Sequence, residues 1–388
     1  MARTRPDAPG SPTMARAGLW ILFAAHVVAS WGTQWDIQWH LTIGRDSFWI
    51  APHLMTYSGV AAIVLVSFGM LAWTTARALP GAERGPGTMR VLGLTGTPGY
   101  HAAAWGIALT VLAAPIDDLW HRLFGLDVTL WSPPHLLGLL GAIVNAAACW
   151  LIARETYAAG SRPRLAAMVV AGALVYGGIG VGIQPSVRIA YVHGGIRFFT
   201  YPILAALLVP LALVVTARVS RSRPAPVLAV LLALLIGVTG AAIARAGFAW
   251  LQPVSVIGEE IARDPTSPIA ISHEIARKNG RPVGAYGARV VFLALLGALA
   301  MVAVDARRRP GLAAFGYGAT MLVTVSVALA RMPAFAQSLP STFDAALATV
   351  LTALAALAGG AAARLATGGD GADRSAVLSP RRGRIASL

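Results

Sequence analysis

Ten stretches of about 20 apolar residues run through the chain, each long enough as helix to cross a hydrocarbon core about 30 Å thick. They fall at 17–40, 52–74, 98–118, 134–153, 164–184, 196–217, 225–246, 286–304, 311–331 and 343–363. In lipid every backbone N–H and C=O must be paired inside the protein, which leaves helices and closed barrels. Ala, Leu, Val and Gly dominate these stretches without strand alternation, and that excludes a barrel. The expected fold is therefore all-α: a polytopic integral membrane bundle of about ten helices. Only 12% of the residues are charged, against about 25% in a soluble domain.

The formal charge of +15 does not point to nucleic acid, because of where the cations sit. Twenty of the 31 basic residues fall in alternate connections and at the two ends. They are Arg3, Arg5 and Arg16; Arg77, Arg84 and Arg90; Arg154, Arg162 and Arg164; Arg218, Arg221 and Arg223; Arg307, Arg308 and Arg309; and Arg364, Arg374, Arg381, Arg382 and Arg384. Short arginine-rich loops stay in the cytoplasm, so the reading is a multi-pass cell-membrane protein with cytoplasmic termini and the lipid bilayer as partner. Its parts are a cytoplasmic segment 1–16, a region 17–153 of two hairpins, and the remaining spans 154–365. A disordered basic tail, 366–388, follows. The far side carries Trp31, Trp35, Trp39 and Trp49, then Trp120 and Trp131, residues that favour the headgroup level. It also carries the longest loop, 247–285, in which 256–262 has the pattern of a short interfacial helix. The single cysteine, Cys149, lies within an apolar stretch, so no disulfide framework or thiolate cluster arises.

One internal similarity carries chemistry. Asp36, Trp39, His40, Gly44, Asp46, Trp49, Pro52, His53 and Leu54 recur in order as Asp117, Trp120, His121, Gly125, Asp127, Trp131, Pro134, His135 and Leu136. The offset is 81 through Asp127 and 82 from Trp131, and four of the eight histidines lie in these motifs. Asp36 and His40 are i and i+4, one turn apart on one helix face. Pro52 suits the first turn of the next helix, which places His53 in that turn too. In an antiparallel hairpin the end of one helix faces the start of the next, so a carboxylate and two imidazoles meet at one depth. Asp117, His121 and His135 repeat the arrangement. Two His and one carboxylate leave open positions on copper, zinc or iron. Against this stands the plainer reading, in which interfacial histidines bond backbone carbonyls. Duplication at matched spacing favours metal, as does the rarity of ionisable groups at membrane depth. Asp46 and Asp127 read as acceptors for imidazole N–H or as turn residues, Trp39 and Trp120 as interfacial anchors or walls of the site.

An Asp-x-x-x-His followed thirteen residues later by His, with Arg45-Asp46 between, resembles the copper motif in a membrane subunit of the particulate methane and ammonia monooxygenases. The resemblance implies copper held by Asp36, His40 and His53, oxidative chemistry, and a complex with other membrane subunits. The second copy departs from it, with Leu126 in place of the Arg and His135 coming fourteen residues after His121; members of that family carry one such motif. The match covers under a tenth of the chain.

Weaker signals are few. His193, followed by Gly194-Gly195 and Arg197, could complete a metal shell or guide substrate, or be a loop histidine. His26 lies ten residues before Asp36, about 15 Å deeper, and suits a helix–helix hydrogen bond or a proton path. His273-Glu274 could cap a site or stand in a solvated loop. No P-loop, dinucleotide fingerprint, serine nucleophile motif or CxxCH haem motif is present. The leading expectation is a metalloprotein with two copper-type sites, an oxidase or monooxygenase in kind. A secondary transporter using the same residues and a non-catalytic, metal-stabilised subunit are the alternatives.

Overall fold

A computed structural model describes residues 12–44, 47–78, 87–124, 130–283 and 287–368. The fold is an all-α polytopic bundle, and the protein is a multi-pass membrane protein. Its helices are α1 (Pro12–Thr42), α2 (Ala51–Arg77), α3 (Pro98–Phe124), α4 (Pro133–Thr156), α5 (Arg162–Ile183), α6 (Ser186–His193) and α7 (Thr200–Ser220). They continue as α8 (Ala225–Leu251), α9 (Ile257–Arg263), α10 (Pro268–Lys278), α11 (Gly287–Ala303), α12 (Pro310–Ala330) and α13 (Thr342–Ala366). Nine segments among the described residues are long and apolar enough to cross a membrane, α5 and α6 forming one of them. The tenth expected span is α11, with 17 residues, about 25 Å of helix. A hairpin of β1 (Met89–Val91) and β2 (Leu94–Gly96) sits between α2 and α3.

Local sequence sets the helix starts. Proline occupies the first or second position of α2, α4, α5, α8, α10 and α12, where no N–H is missed. Ser341 and Asp344 form a reciprocal capping box on α13. At the opposite helix ends, arginines occupy carbonyls that a helix leaves open. Arg223 donates to Val302 O at 2.9 Å and Ala303 O at 3.2 Å at the end of α11. Arg218 donates to Arg307 O at 2.9 Å and Thr367 Oγ1 at 2.7 Å. The arginine pattern is thus also a set of helix caps joining α7, α8, α11 and α13 at one end of the bundle.

Within each N-terminal hairpin a glycine brings the two helices together. A Cβ on Gly59 would stand 2.7 Å from Ala25 O and from Ala29 N; one on Gly141 would stand 2.6 Å from Gly106 O and from Thr110 N. Those positions correspond under the offsets of 81 and 82. Between the hairpins lies a buried polar node. Asn145 Oδ1 accepts from His26 Nε2 at 2.6 Å, and Asn145 Nδ2 donates to Ala103 O at 2.6 Å and Ser67 Oγ at 3.4 Å. One carboxamide therefore ties α4 to α1, α2 and α3, and His26 makes a helix–helix hydrogen bond.

Surroundings distinguish the hairpins. α1 packs on α2, α4, α5, α8 and α10, whereas α3 packs chiefly on α4 and α2. Three of the tryptophans on that side join α1 to α8. Trp31 Nε1 donates to Ile236 O at 3.0 Å, Trp35 meets Phe248 edge-on, and Trp39 stacks on Phe248 at 5.8 Å between centroids. Trp120 lies against Phe124 of its own helix. The long loop holds the expected short helix as α9, and α10 besides. It covers the end of α1: Val256 N donates to Ile43 O at 2.8 Å, Ser255 Oγ donates to Thr42 O at 2.7 Å, and His273 Nε2 bonds Leu41 O at 2.7 Å.

Candidate metal centre

Asp36 and His40 lie near the end of α1, and His53 is the third residue of α2. Ile50 caps α2 with extended backbone and Pro52 follows, so the chain turns into the helix at a defined point and presents His53 toward α1. His53 Nε2 is 3.1 Å from Asp36 Oδ1, and His40 Nε2 is 3.5 Å from the same oxygen. One ligand atom from each residue lies within 4.8 Å of the other two. A metal about 2 Å from each donor spans separations up to about 4 Å, so a shift of under an ångström closes the set. The three side chains are 24%, 21% and 19% exposed. They are dry enough for strong electrostatics and open enough for an ion to enter.

The partners of the two His53 ring nitrogens are the informative feature. His53 Nδ1 faces the carbonyl of Ser47 at 3.0 Å. A carbonyl only accepts, so Nδ1 carries the proton. In the neutral ring Nε2 then presents a lone pair toward Asp36 Oδ1, an oxygen closed to solvent that has no assigned hydrogen-bond donor among the described residues. Two lone pairs at 3.1 Å repel unless a cation stands between or beside them, either a proton on the ring or a metal ion. A ring N–H donated to a backbone carbonyl is also how metal-binding imidazoles are oriented. Tyr57 lies beside His53, 5.7 Å between ring centroids, and Phe48 and the exposed Trp49 extend the aromatic contact away from it.

The second motif is assembled in part. His135 is the third residue of α4, as His53 is of α2, and its Nε2 stands 3.3 Å from Asp117 Oδ1. The His121 side chain lies outside the described residues, so the structure does not test whether it joins them. Asp46, Asp127 and Arg45 also lie outside. Trp39 is buried against α8, and Trp120 is half-buried beside Phe124. His193 ends α6, exposed to solvent, and Arg197 is exposed in the turn after it. Neither joins the cluster of Asp36, His40 and His53, the one such group among the described residues. Two contributors escaped sequence reading. The Ser47 carbonyl is main chain and leaves no signature in residue type. His273 was visible as a loop histidine, but its bond to Leu41 depends on a fold-back across 232 residues.

The fold and this cluster define a multi-pass helical membrane protein with a potential Asp/His/His metal-binding triad. Comparison of the chain with protein-family models, curated proteins and solved structures gives no match.

Proposed function

We propose that the chain is a membrane metalloprotein of the oxidase or monooxygenase kind, with a copper ion held by Asp36, His40 and His53. A second ion is held by Asp117, His121 and His135. The observation that carries this reading is the convergence of one donor atom each from Asp36, His40 and His53 within 4.8 Å, with His53 Nδ1 facing the Ser47 carbonyl and Nε2 left to face Asp36 Oδ1. Two imidazoles and one carboxylate rank copper high among divalent ions, with zinc and iron as weaker fits. Copper bound there supplies one-electron chemistry and open coordination positions. The residues supply the rest: Asp36 offsets the ion's charge, the Ser47 carbonyl holds His53 in register, and Tyr57 packs beside the His53 ring. The motif's likeness to the monooxygenase membrane subunit supports copper and a complex with further membrane subunits. Equivalent glycine contacts and the shared third-residue histidines support an internal duplication. The arginine distribution supports cytoplasmic termini and two sites at the outer face of the cell membrane.

Elemental analysis of protein purified in lipid tests the assignment. Copper is expected in wild type, reduced in His40→Ala or in His121→Ala, and lost from the double variant. Electron spin resonance of the wild type should show nitrogen coupling that the His53→Ala change reduces. Unchanged metal content in the double variant would overturn the proposal.

A further inference from the structure

A cavity of about 550 Å³ runs along α4, between α5 and α7, within the ~300–1,000 Å³ typical of ligand sites. One face of α4 lines it at helical spacing, from Leu136 through Ile143, Ala147 and Trp150 to Arg154. Leu211 and Val219 of α7 form the opposite wall toward the arginine-rich end. From Leu136 to Arg154 the wall rises about 27 Å at 1.5 Å per residue, close to the whole of a ~30 Å hydrocarbon core. Its part from Ile143 to Arg154, about 17 Å, matches the depth of one leaflet.

The groove ends on cations. Arg154 lines it and is exposed, and Arg164 lies within electrostatic reach of both Arg154 and Arg221. No carboxylate among the described residues pairs with these three guanidiniums; Glu155, the nearest in sequence, accepts from Gly99 N at 2.8 Å at the start of α3. An apolar channel with Arg154 in its wall and Arg164 and Arg221 within electrostatic reach, paired with no carboxylate among the described residues, complements an acyl chain joined to a phosphate. We propose that this groove binds an anionic glycerophospholipid of the leaflet at the arginine-rich end. The phosphate sits on Arg154, Arg164 and Arg221, and one acyl chain lies along Trp150, Ala147 and Ile143. The site stands apart from the metal centre and does not depend on it.

Native mass spectrometry of the full chain, released from bilayers of equal phosphatidylglycerol and phosphatidylcholine, tests this. Each guanidinium near a membrane surface favours an anionic headgroup by about fivefold, so retained lipid should be phosphatidylglycerol by at least that factor. Arg154→Gln/Arg164→Gln should abolish the preference. Ala147→Phe, which fills the channel, should lower total retention. Millimolar inorganic phosphate should not displace the lipid, because it has no chain to bury. In the unaltered protein, tail-brominated phosphatidylglycerol should quench tryptophan emission more than brominated phosphatidylcholine, since Trp150 lines the channel. Equal retention of the two lipids, equal quenching, displacement by phosphate, or an unchanged preference in the arginine variant would each overturn the proposal.

Discussion

Replacing Asn145 by leucine should loosen both hairpins at once. The carboxamide is fully buried and bonds to His26, Ala103 and Ser67, one group on each of three other helices. Leucine keeps similar volume but leaves the His26 N–H without its acceptor, which costs about 1–3 kcal/mol in an apolar interior. Interhelical hydrogen bonds in bilayers average about 0.6 kcal/mol and reach about 1.7. The two 2.6 Å bonds belong at the upper part of that range and the 3.4 Å contact at the lower. The expected loss is about 2–3 kcal/mol. His26→Leu alone should lose about 1–2 kcal/mol, because it strands Asn145 Oδ1. The double variant strands neither partner of that pair, so its loss should fall short of the summed singles by about 1 kcal/mol. Equilibrium unfolding in mixed micelles measures all three. Metal content should fall at both candidate sites together in Asn145→Leu, unlike any ligand change. A loss below about 0.5 kcal/mol, or strict additivity, would refute the view that this node ties the hairpins together.

Gly59→Leu should splay α1 from α2, because even its Cβ would meet the Ala25 and Ala29 backbone; overpacking of this kind costs about 1–3 kcal/mol. Its metal loss should be confined to the Asp36 site, as read by metal content in a His121→Ala background. His273→Ala removes the bond to Leu41 O one residue from His40, and should weaken metal binding at the first site by about tenfold; competition with a chelator would reveal no change if the α10 contact is irrelevant. At the arginine-rich end, hydrogen bonds from Arg307 pull the Asp305 carboxyl down to about 2. A depressed carboxylate stabilises the fold above its unfolded value near 4 and loses that contribution as pH falls toward 2. Asp305→Asn should therefore lower the melting temperature at pH 6 and differ little from wild type near pH 2; asparagine tolerates the left-handed backbone there, φ 57°. A gap that persists at low pH would assign the effect to packing.

Much of the architecture was legible because lipid removes alternatives. Apolar length, proline at helix starts and arginine in alternate connections mark spans with little need of tertiary context. The triad was legible too, since i and i+4 on one helix and a first-turn histidine on the next leave few ways to diverge in a hairpin. Less legible were the partners of single side chains. Trp31, Trp35 and Trp39 have interfacial composition, yet they pack on α8, at the Trp31 bond 205 residues away in sequence. Their position depends on which helix closes against α1, and no local pattern carries that information.

The sequence by itself determined a multi-pass helical bundle and the meeting of Asp36, His40 and His53, because both follow from short-range spacing in a solvent that forbids unpaired backbone. Tertiary structure alone decided which hairpin is enclosed. α1 is covered by α8, α9 and α10, whereas α3 packs chiefly on α4 and α2. The two motifs share nine residue types in the same order, but enclosure comes from distant helices, and the order in which those pack is a property of the whole surface each helix presents. The orientation of the His53 ring belongs to the same class of facts. It rests on a main-chain carbonyl whose direction is set by the turn into α2 rather than by the identity of residue 47.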